Sequence, residues 1–510
     1  MLNISPSRCL LPALLLSLAA ASAGAANFRV QCPQTTTLHP NGSSVDPAHP
    51  GLVKCQQLSG GDGFATMGDG TQTYLFAFGP LSGLADIVNG LPGTETASVF
   101  NTLATTTPDT GAPTPATTFN GAVGLAPDPA AGGAITGYID PRTVMDVGVL
   151  NGSMPSPTMA LDEDDEFFLT LTNVGMIMRP DLFEQHTVHF HGYANASSFY
   201  DGVPDASVAI NIGGSFTYYY LAPDAGTYMW HCHITPPEHL QMGMVGQVYV
   251  RPRQNRVPAG DSLHAGLVAQ QADLRTRSDC TTDVLCSAPV PQTDNGAVHA
   301  NNKSGTPTLY AYNDGDGSTA YDVEYPIQIH GFDPNFHFVG MTFNPEPFTD
   351  NKDKYFQLNG RSYPDTINAA PMHTQSADGQ EHYSQPLPTL INIPAGGRAL
   401  LRFSDLDTTE MQTLASLGIP MRVIGYNAKL LRDMDGNDMA YDTNSITLGG
   451  GESLDVILDA SDTSKYPVGS IFYLYSPNLD HLSNDAENFG GLMTEVHICN
   501  AVDPATKACS

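Results

Sequence analysis

The chain has 510 residues, with 52 acidic against 21 basic side chains and a formal net charge of −31. A surface this negative repels nucleic acid and anionic lipid, which argues against binding to either of them. It attracts cations such as metal ions or a basic redox partner, and it also keeps an exported protein soluble. The length predicts roughly two to four domains.

The first 26 residues are typical of a secretory signal peptide. Arg8 precedes an apolar Ala/Leu-rich run that ends in the small residues Ala23-Gly-Ala25. The run is too short to span a bilayer, and no later segment is long and apolar enough to do so. We therefore expect cleavage near Ala25 or Ala26, no membrane span, and export to the periplasm or the extracellular space.

Cysteine use agrees with export. Removing Cys9 with the signal peptide and setting Cys232 aside leaves six cysteines out of eight, which form three local couples: Cys32/Cys55, Cys280/Cys286 and Cys499/Cys509. Local disulfides are the simplest of the connectivities that six cysteines allow, and they fit an oxidising compartment. The remaining thiol lies between two histidines, which indicates a metal ligand.

The pattern along the chain is that of β-structure. Compact or alternating apolar runs predict strands at 73–78, 167–173, 214–221 and 247–251. Long amphipathic helices are scarce, and Gly, Pro, Asn and Asp separate the short strands. The sequence therefore predicts an all-β fold of two β-sandwich domains joined by long loops.

We predict the following organisation: a signal peptide at 1–26, an N-terminal extension and loop-rich insertion belonging to domain 1 at 27–139, domain 1 at 140–253, a linker at 254–320, domain 2 at 321–503, and a tail at 504–510. The Pro-rich segments within 27–139 have a composition that buries little surface. A third sandwich over 60–145 remains an alternative, although only the strand at 73–78 is strong there.

Two short segments of domain 1 concentrate metal-ligand side chains. One is Tyr228-Met-Trp-His-Cys-His-Ile-Thr-Pro-Pro-Glu-His-Leu-Gln-Met-Gly-Met244, and the other is His186-Thr-Val-His-Phe-His-Gly192. A thiolate, imidazoles and a thioether are the ligands of a blue-copper site, in which a His/His/Cys plane carries a long axial Met. We expect a type 1 copper held by His186, Cys232, His239 and Met244.

The loop after Cys232 is predicted to reverse as a hairpin, stiffened by Pro236-Pro237, so that its ligands meet at one ion. Met242 is the alternative axial ligand, and Met244 is preferred because it directly precedes the strand at 245–250. Zinc is disfavoured by a thioether ligand. The remaining alternative is a free cysteine among buried structural histidines.

A second metal site follows from the alternation of side chains along a strand, which places residues two apart on one face. Cys232 then faces away from its two neighbours, so one strand serves two sites. We expect an exposed His239 to receive electrons and Cys232 to pass them on, making these two the catalytic residues. The second site, a type 2/3 copper cluster, is assigned to His189, His191, His231 and His233. Its alternative is that one or two of these are only supporting or solvated.

These motifs, with Asp201-Gly-Val-Pro204 and Asn151-Gly-Ser-Met-Pro-Ser-Pro-Thr158, resemble the multicopper oxidase family. The resemblance covers 140–253 and, more weakly, 321–500 through 359–364 and 448–452. It implies cupredoxin-like Greek-key sandwiches, a type 1 copper that takes electrons from a reductant, and a trinuclear cluster that reduces O2 to water. A blue site in the first domain also resembles two-domain members and copper nitrite reductases, many of which are homotrimers.

Domain 2 departs from the family pattern. Where His-x-His pairs are expected, it has Gln328-x-His330 and Tyr475-x-Pro477. His330 is a candidate additional ligand, with a structural histidine as the alternative. A nitrite reductase site would combine it with His191 and His231 across an interface, but His189 stands where those reductases place an aspartate.

The leading hypothesis is an exported copper oxidoreductase that uses O2 and either a small reductant, such as a metal ion or a phenol, or a redox protein. The missing domain 2 histidines motivate a second hypothesis, a blue-copper electron carrier or copper-binding protein without enzymatic activity. Copper nitrite reductase is a further alternative. A surface protein with a relict fold would bind no copper.

Overall fold

The computed structural model describes residues 28–46, 49–104, 118–192, 197–270, 294–302, 305–340, 347–375, 381–433 and 435–510. The predicted signal peptide and the Cys280/Cys286 couple lie outside these ranges. Within them, no helix has the length and apolar character needed to cross a membrane.

The described residues of the first half form nine strands. They are β1 (Val53–Thr66), β2 (Gln72–Pro80), β3 (Glu95–Thr96), β4 (Met159–Asp162), β5 (Glu166–Gly175), β6 (His189–Phe190), β7 (Ser215–Leu221), β8 (Gly226–His231) and β9 (Val245–Arg251).

The second half forms sixteen strands in the described ranges. They are β10 (Leu309–Tyr310), β11 (Ala320–Tyr321), β12 (Val323–Phe332), β13 (Tyr355–Leu358), β14 (Met372–Gln375), β15 (Glu381–Gln385), β16 (Ile391–Pro394), β17 (Arg398–Asp405), β18 (Gln412–Leu417), β19 (Met421–Tyr426), β20 (Lys429–Leu430), β21 (Tyr441–Thr443), β22 (Ser445–Leu448), β23 (Ser453–Asp459), β24 (Ile471–Tyr475) and β25 (Met493–Cys499).

The helices are short. The α-helices are α1 (Leu84–Ile87), α2 (Ala97–Phe100), α3 (Pro141–Gly148), α4 (Pro236–Gln241), α5 (Leu263–Ala269) and α6 (Pro334–Gly340). Short 3-10 turns lie at Pro129–Ala131, Ser198–Tyr200, Arg253–Arg256, Phe348–Asp350, Asp365–Ile367 and Leu479–Leu482.

Two sheets pack face to face in the first half. One has the order β2-β1-β5-β7 with β3 paired to β1, and the other has the order β4-β9-β8-β6. Leu58 and Leu169 of the first sheet share one buried core with Trp230 and Val248 of the second. Each fully buried side chain of this kind contributes about 1.5–3 kcal/mol. The predicted β-sandwich is therefore confirmed.

The second half repeats this architecture. A seven-stranded sheet, β13-β12-β17-β23-β19-β20 with β21 on β19, faces a five-stranded sheet, β16-β25-β24-β18-β22. Ile327 and Val456 of the first sheet pack with Leu474 and Val496 of the second in a core of their own. The all-β prediction holds for both halves.

A buried ionic network joins the two halves. Glu324 on β12 accepts hydrogen bonds from Arg251 on β9 and, at 3.1 Å, from Arg402 on β17. Thr227 on β8 donates to Asp455 on β23 at 2.5 Å. Side chains from both sandwiches thus hold β8 and β9 against β17 and β23.

The structure differs from the sequence predictions at three points. The longest strand, β1, was not anticipated, because its three glycines break the apolar pattern. Helix α5 and the hairpin β10–β11 lie within the predicted linker at 254–320. The loop after Cys232 is a helix rather than a hairpin, because Pro236 and Pro237 occupy its first turn, where proline is well tolerated.

Two of the three predicted disulfides are confirmed. Cys32 bonds to Cys55, and Cys499 bonds to Cys509. Cys232 is buried and is the one free cysteine of the described ranges. The thiol assigned to a metal is therefore left available by the disulfide pattern.

Candidate metal centre

The end of β8 brings the two ligand segments together. His189 on β6 lies opposite His231 on β8, and Phe190 lies opposite Trp230. Cys232 follows directly, and its N–H donates to the carbonyl of Met244 at 3.1 Å. Helix α4 then returns His239 toward the same sulfur.

The first group of ligands consists of His186, Cys232 and His239, whose ligand atoms all lie within 4.8 Å of one another. His239 Nδ1 lies 3.3 Å from Cys232 Sγ. The rings of His186 and His239 are 5.5 Å apart between centroids. All three side chains are at most 1% exposed. The group is thus a closed set of one sulfur and two imidazoles between the sheets, which we call the thiolate group.

The chemistry of the thiolate group fits a metal ion. Neither ring nitrogen of His186 has a hydrogen-bond partner, although both are fully buried. Burial without a partner is costly for a polar atom, unless a bound ion satisfies it. Burial also lowers the pKa of His186 well below its usual value, so that the imidazole is neutral and offers a lone pair.

The first sheet covers the thiolate group. Phe76 and Phe78 of β2 pack edge-on against the His239 and His186 rings, at 5.1 and 6.4 Å between centroids. The Thr187 N–H donates to Cys232 Sγ at 3.5 Å, so the main chain next to His186 also contacts the sulfur. None of these supporting residues carries metal-ligand chemistry, so the sequence pattern gave no indication of them.

Gly60 on β1 is required by this packing. A Cβ at Gly60 would lie 2.7 Å from Cδ2 of His186, which is too close for a side chain. This contact accounts for one of the three glycines that interrupt the apolar pattern of β1. Because Gly60 has no side chain, the strand can pass directly over His186.

Replacing Gly60 by alanine is expected to weaken copper binding at the thiolate group about tenfold or more, the usual cost of disturbing a residue that supports a ligand. The added methyl must displace the His186 ring, so the visible absorption band should also shift. Copper titration monitored by absorbance measures both effects. Gly449→Ala is the matched control, because its methyl would meet Met411 Cε at an ordinary 3.5 Å; equal affinity in both variants would contradict the contact.

The expectation of an exposed His239 is wrong. This side chain is only 1% exposed, and its Nε2 lies 3.6 Å from a carboxylate oxygen of Glu184, which is 34% exposed. Burial by itself lowers the pKa of His239, but Cys232 and Glu184 outweigh it and raise the pKa to about 9. The carboxylate of Glu184, rather than the imidazole, therefore reaches the surface.

Both candidate axial methionines are buried near the thiolate group. The Met244 N–H donates to the carbonyl of His239 at 3.0 Å, so its main chain adjoins two of the ligands. Met242 is 1% exposed and Met244 is 0% exposed. The assignment of Met244 as the axial ligand stays a prediction.

The second group consists of His189, His191 and His231, whose ligand atoms also lie within 4.8 Å of one another. We call it the imidazole group. His189 Nδ1 lies 2.6 Å from the carbonyl of Asp201, and His231 Nδ1 lies 2.7 Å from the carbonyl of Cys232. His191 hydrogen-bonds to the backbone of Gly451.

These partners fix the tautomers of the imidazole group. A carbonyl only accepts, so His231 Nδ1 must carry the proton and Nε2 must carry a lone pair. The Nε2 atoms of His191 and His231 are 3.0 Å apart. Burial lowers the pKa of His231 to about 3, so its ring is neutral at neutral pH and its Nε2 keeps the lone pair. A neutral imidazole with its lone pair directed at the other imidazoles is the form that binds a metal ion.

Two predicted ligands lie outside both groups. The His233 ring is stacked on His231 at 5.6 Å and lies 5.1 Å from His189, but it is not within ligand distance of the whole imidazole group. His330 is buried, and its Nε2 faces the carbonyl of Gln241 at 3.1 Å. The structure does not bring His330 to either group.

Residues 135–255 match the family described as multicopper oxidase. This range contains every side chain of the thiolate group and of the imidazole group. We call this matched range the multicopper oxidase domain, after the family that it resembles. Copper is the cofactor of this family, and the thiolate and imidazole ligands found here are those that copper prefers.

The relatives match only a part of this chain. The chain is 34% identical over 128 residues to laccase abr2 of Aspergillus fumigatus, covering 25% of this chain and 20% of that protein. It is 32% identical over 131 residues to a copper-containing nitrite reductase of Pseudomonas chlororaphis, covering 24% of this chain and 32% of that protein. The match thus spans a minor part of each relative.

Among solved structures, blue copper oxidase from Nitrosomonas europaea aligns over 87% of this chain and 85% of its own, with a TM-score of 0.47 and 16% identity. Likeness at this level says nothing about activity.

Proposed function

We propose that the protein is an exported copper oxidoreductase that takes single electrons from a small reductant and delivers them to O2. The observation that carries the proposal is that Cys232 belongs to the thiolate group while its neighbour His231 belongs to the imidazole group. Copper bound to such ligands supplies one-electron redox chemistry.

The residues between the groups form a short connection. The carbonyl of Cys232 accepts a hydrogen bond from His231 Nδ1 at 2.7 Å. The residue that gives its sulfur to one group thereby also orients an imidazole of the other. Both sites are held by the end of one rigid strand, which keeps their separation constant.

The surface beside Glu184 suits a reductant with an apolar body. The segment leading to His186 presents Ile177, Met178 and Phe183, which are 59%, 47% and 83% exposed. Exposed apolar side chains on the segment that carries Glu184 favour a phenol, whose ring packs against them while its hydroxyl donates to a carboxylate. Its contact with His239 makes Glu184 the position where the reductant is recognised.

One observation favours the electron carrier as the second candidate. The cavity that opens over His191 and His231 has no histidine of the second half in its described lining. A protein with an incomplete second site would keep the redox chemistry of the thiolate group and lose catalysis.

Copper loading followed by O2 uptake tests the proposal. With hydroquinone as reductant, the copper-loaded protein should absorb strongly in the visible range and consume O2. His189→Ala should retain the colour and lose O2 uptake, because it removes a ligand of the imidazole group alone. Colour without O2 consumption by the unaltered protein would favour the carrier, and copper-loaded protein without colour would contradict both functions.

A further inference from the structure

Resting on the proposed function, we infer that the imidazole group holds one copper ion rather than three, and that each chain reduces O2 by two electrons to hydrogen peroxide. The residues that the second half of the chain places opposite the imidazoles decide how many copper ions can be held.

A cavity of about 790 Å³ separates the imidazoles from the second half. We call it the chamber. His191, His231 and His233 form its first wall, and the loops 406–411 and 449–452 form the opposite wall. The ionisable side chains of that opposite wall are carboxylates. It offers no imidazole, although three copper ions would need several more nitrogen ligands than the first wall supplies.

The backbone of the second half already occupies the space next to the imidazole group. Gly451 hydrogen-bonds through its backbone to His191, and a Cβ on Gly451 would lie 3.6 Å from the His191 ring. The second half thus orients a ligand and does not add one.

Four histidines of the second half face other partners, although Nδ1 of His330, of His337 and of His481 is buried without one. His481 Nε2 lies 3.0 Å from a carboxylate oxygen of Glu410, behind the chamber wall. His337 Nε2 lies 2.8 Å from Oε1 of Gln241, and His330 faces the carbonyl of the same residue. Both nitrogens of His299 face main-chain carbonyls. None of these four rings lines the chamber.

The carboxylates of the opposite wall do not replace the missing imidazoles. Glu452 accepts hydrogen bonds from Tyr426 and from the Gly449 N–H. Glu410 pairs with His481. Within the described residues, neither carboxylate comes close enough to the imidazoles to complete a group of three ligand atoms with them. One ion at the three imidazoles, with a side open to the chamber, is the arrangement that the residues support.

The number of one-electron sites determines the product of O2 reduction. Reduction of O2 to water consumes four electrons, whereas a chain with one ion in each group holds two. Two phenols each lose one electron and one proton, and O2 takes up both pairs: 2 ArOH + O2 → 2 ArO• + H2O2. Glu410 and Glu452 line the chamber where the two protons are needed.

The same carboxylates disfavour nitrite as the acceptor. Nitrite is an anion, and the chamber lining contains acidic side chains but neither lysine nor arginine. Like charges at close range repel, whereas O2 is uncharged. Nitrite reduction is therefore an outcome for the experiment to exclude.

The first test counts copper in the full-length, copper-loaded chain by mass spectrometry and by integrated electron paramagnetic resonance. We expect two ions per chain, both visible by resonance. His189→Ala should leave one ion, while His330→Gln and His481→Gln, checked for folding by circular dichroism, should keep two. Four ions per chain, or loss of copper in the last two variants, would overturn the inference while leaving the proposed function standing.

The second test identifies the product. With hydroquinone as reductant, added catalase should return half of the O2 consumed, as expected for hydrogen peroxide. No return of O2 would show reduction to water, and release of nitric oxide from added nitrite would show a different acceptor; either would overturn the assignment. Failure of the proposed function is distinguishable, because it would appear as copper-loaded protein without visible absorption.

Discussion

Cys232→Ser is expected to abolish the intense visible absorption of the copper-loaded protein and to reduce turnover more than a hundredfold. The serine hydroxyl is a harder ligand than the thiolate. The bond between sulfur and copper, on which the visible absorption depends, is therefore lost. The substitution keeps the main-chain carbonyl that accepts from His231 Nδ1, so the sulfur is the only part of the connection between the groups that is lost. Absorbance, copper content and O2 uptake measure the effects.

The control for Cys232→Ser is His189→Ala, which removes a ligand of the imidazole group and leaves the sulfur in place. The two variants should fail differently: the first without colour, the second coloured but inactive. A blue Cys232→Ser protein would show that the thiolate group is not the copper site.

Glu324→Gln is expected to destabilise the protein by about 3–5 kcal/mol, the usual cost of removing one partner from a buried ion pair. Arg402 is fully buried, and its Nε donates to Glu324 at 3.1 Å. Without the carboxylate, Arg251 and Arg402 remain as neighbouring positive charges between the two sandwiches. Urea unfolding followed by circular dichroism measures the loss.

Acid unfolding provides a second readout for Glu324. Burial opposes its ionisation, but Arg251 and Arg402 outweigh this and lower its pKa from 4.5 to about 2. Because the folded pKa is the lower one, its stabilising contribution is complete above about pH 4.5 and is lost as the pH falls toward 2. The variant should lack this component of the acid transition.

The matched control for Glu324→Gln is Glu381→Gln, whose carboxylate is 59% exposed and lies 3.7 Å from His373. Its effect should stay within about 0.5 kcal/mol, as for most surface substitutions. Similar losses in the two variants would mean that the network between the halves adds little stability.

The members of both groups could be predicted because they are concentrated in two short segments. Alternation along β8 was enough to predict that Cys232 and His231 belong to different metal sites, since neighbouring residues of a strand face opposite ways. The strands at 73–78 and 167–173 could be predicted in the same way, because each is a compact apolar run. Local chemistry and local periodicity were thus enough to predict most of the site residues.

Other features depend on contacts between residues that are far apart in the sequence. Gly60 lies on the ligand His186 because β1 crosses the core, and nothing near Gly60 in the sequence indicates this. The burial of His239 behind Glu184 depends on how helix α4 packs, since Pro236 and Pro237 begin a helix where a hairpin was predicted. Neither arrangement can be predicted from the spacing of residues in the sequence alone.

The amino-acid sequence by itself determined the all-β class, the disulfides at both ends of the described chain, and the thiolate with its imidazoles, because each follows from short-range pattern or ligand chemistry. Only the tertiary structure decided which histidines meet, that His330 lies elsewhere, and that carboxylates and the Gly451 backbone face the imidazole group. The physical reason is that these contacts join residues far apart in the chain, and their geometry is set by the packing of two sandwiches.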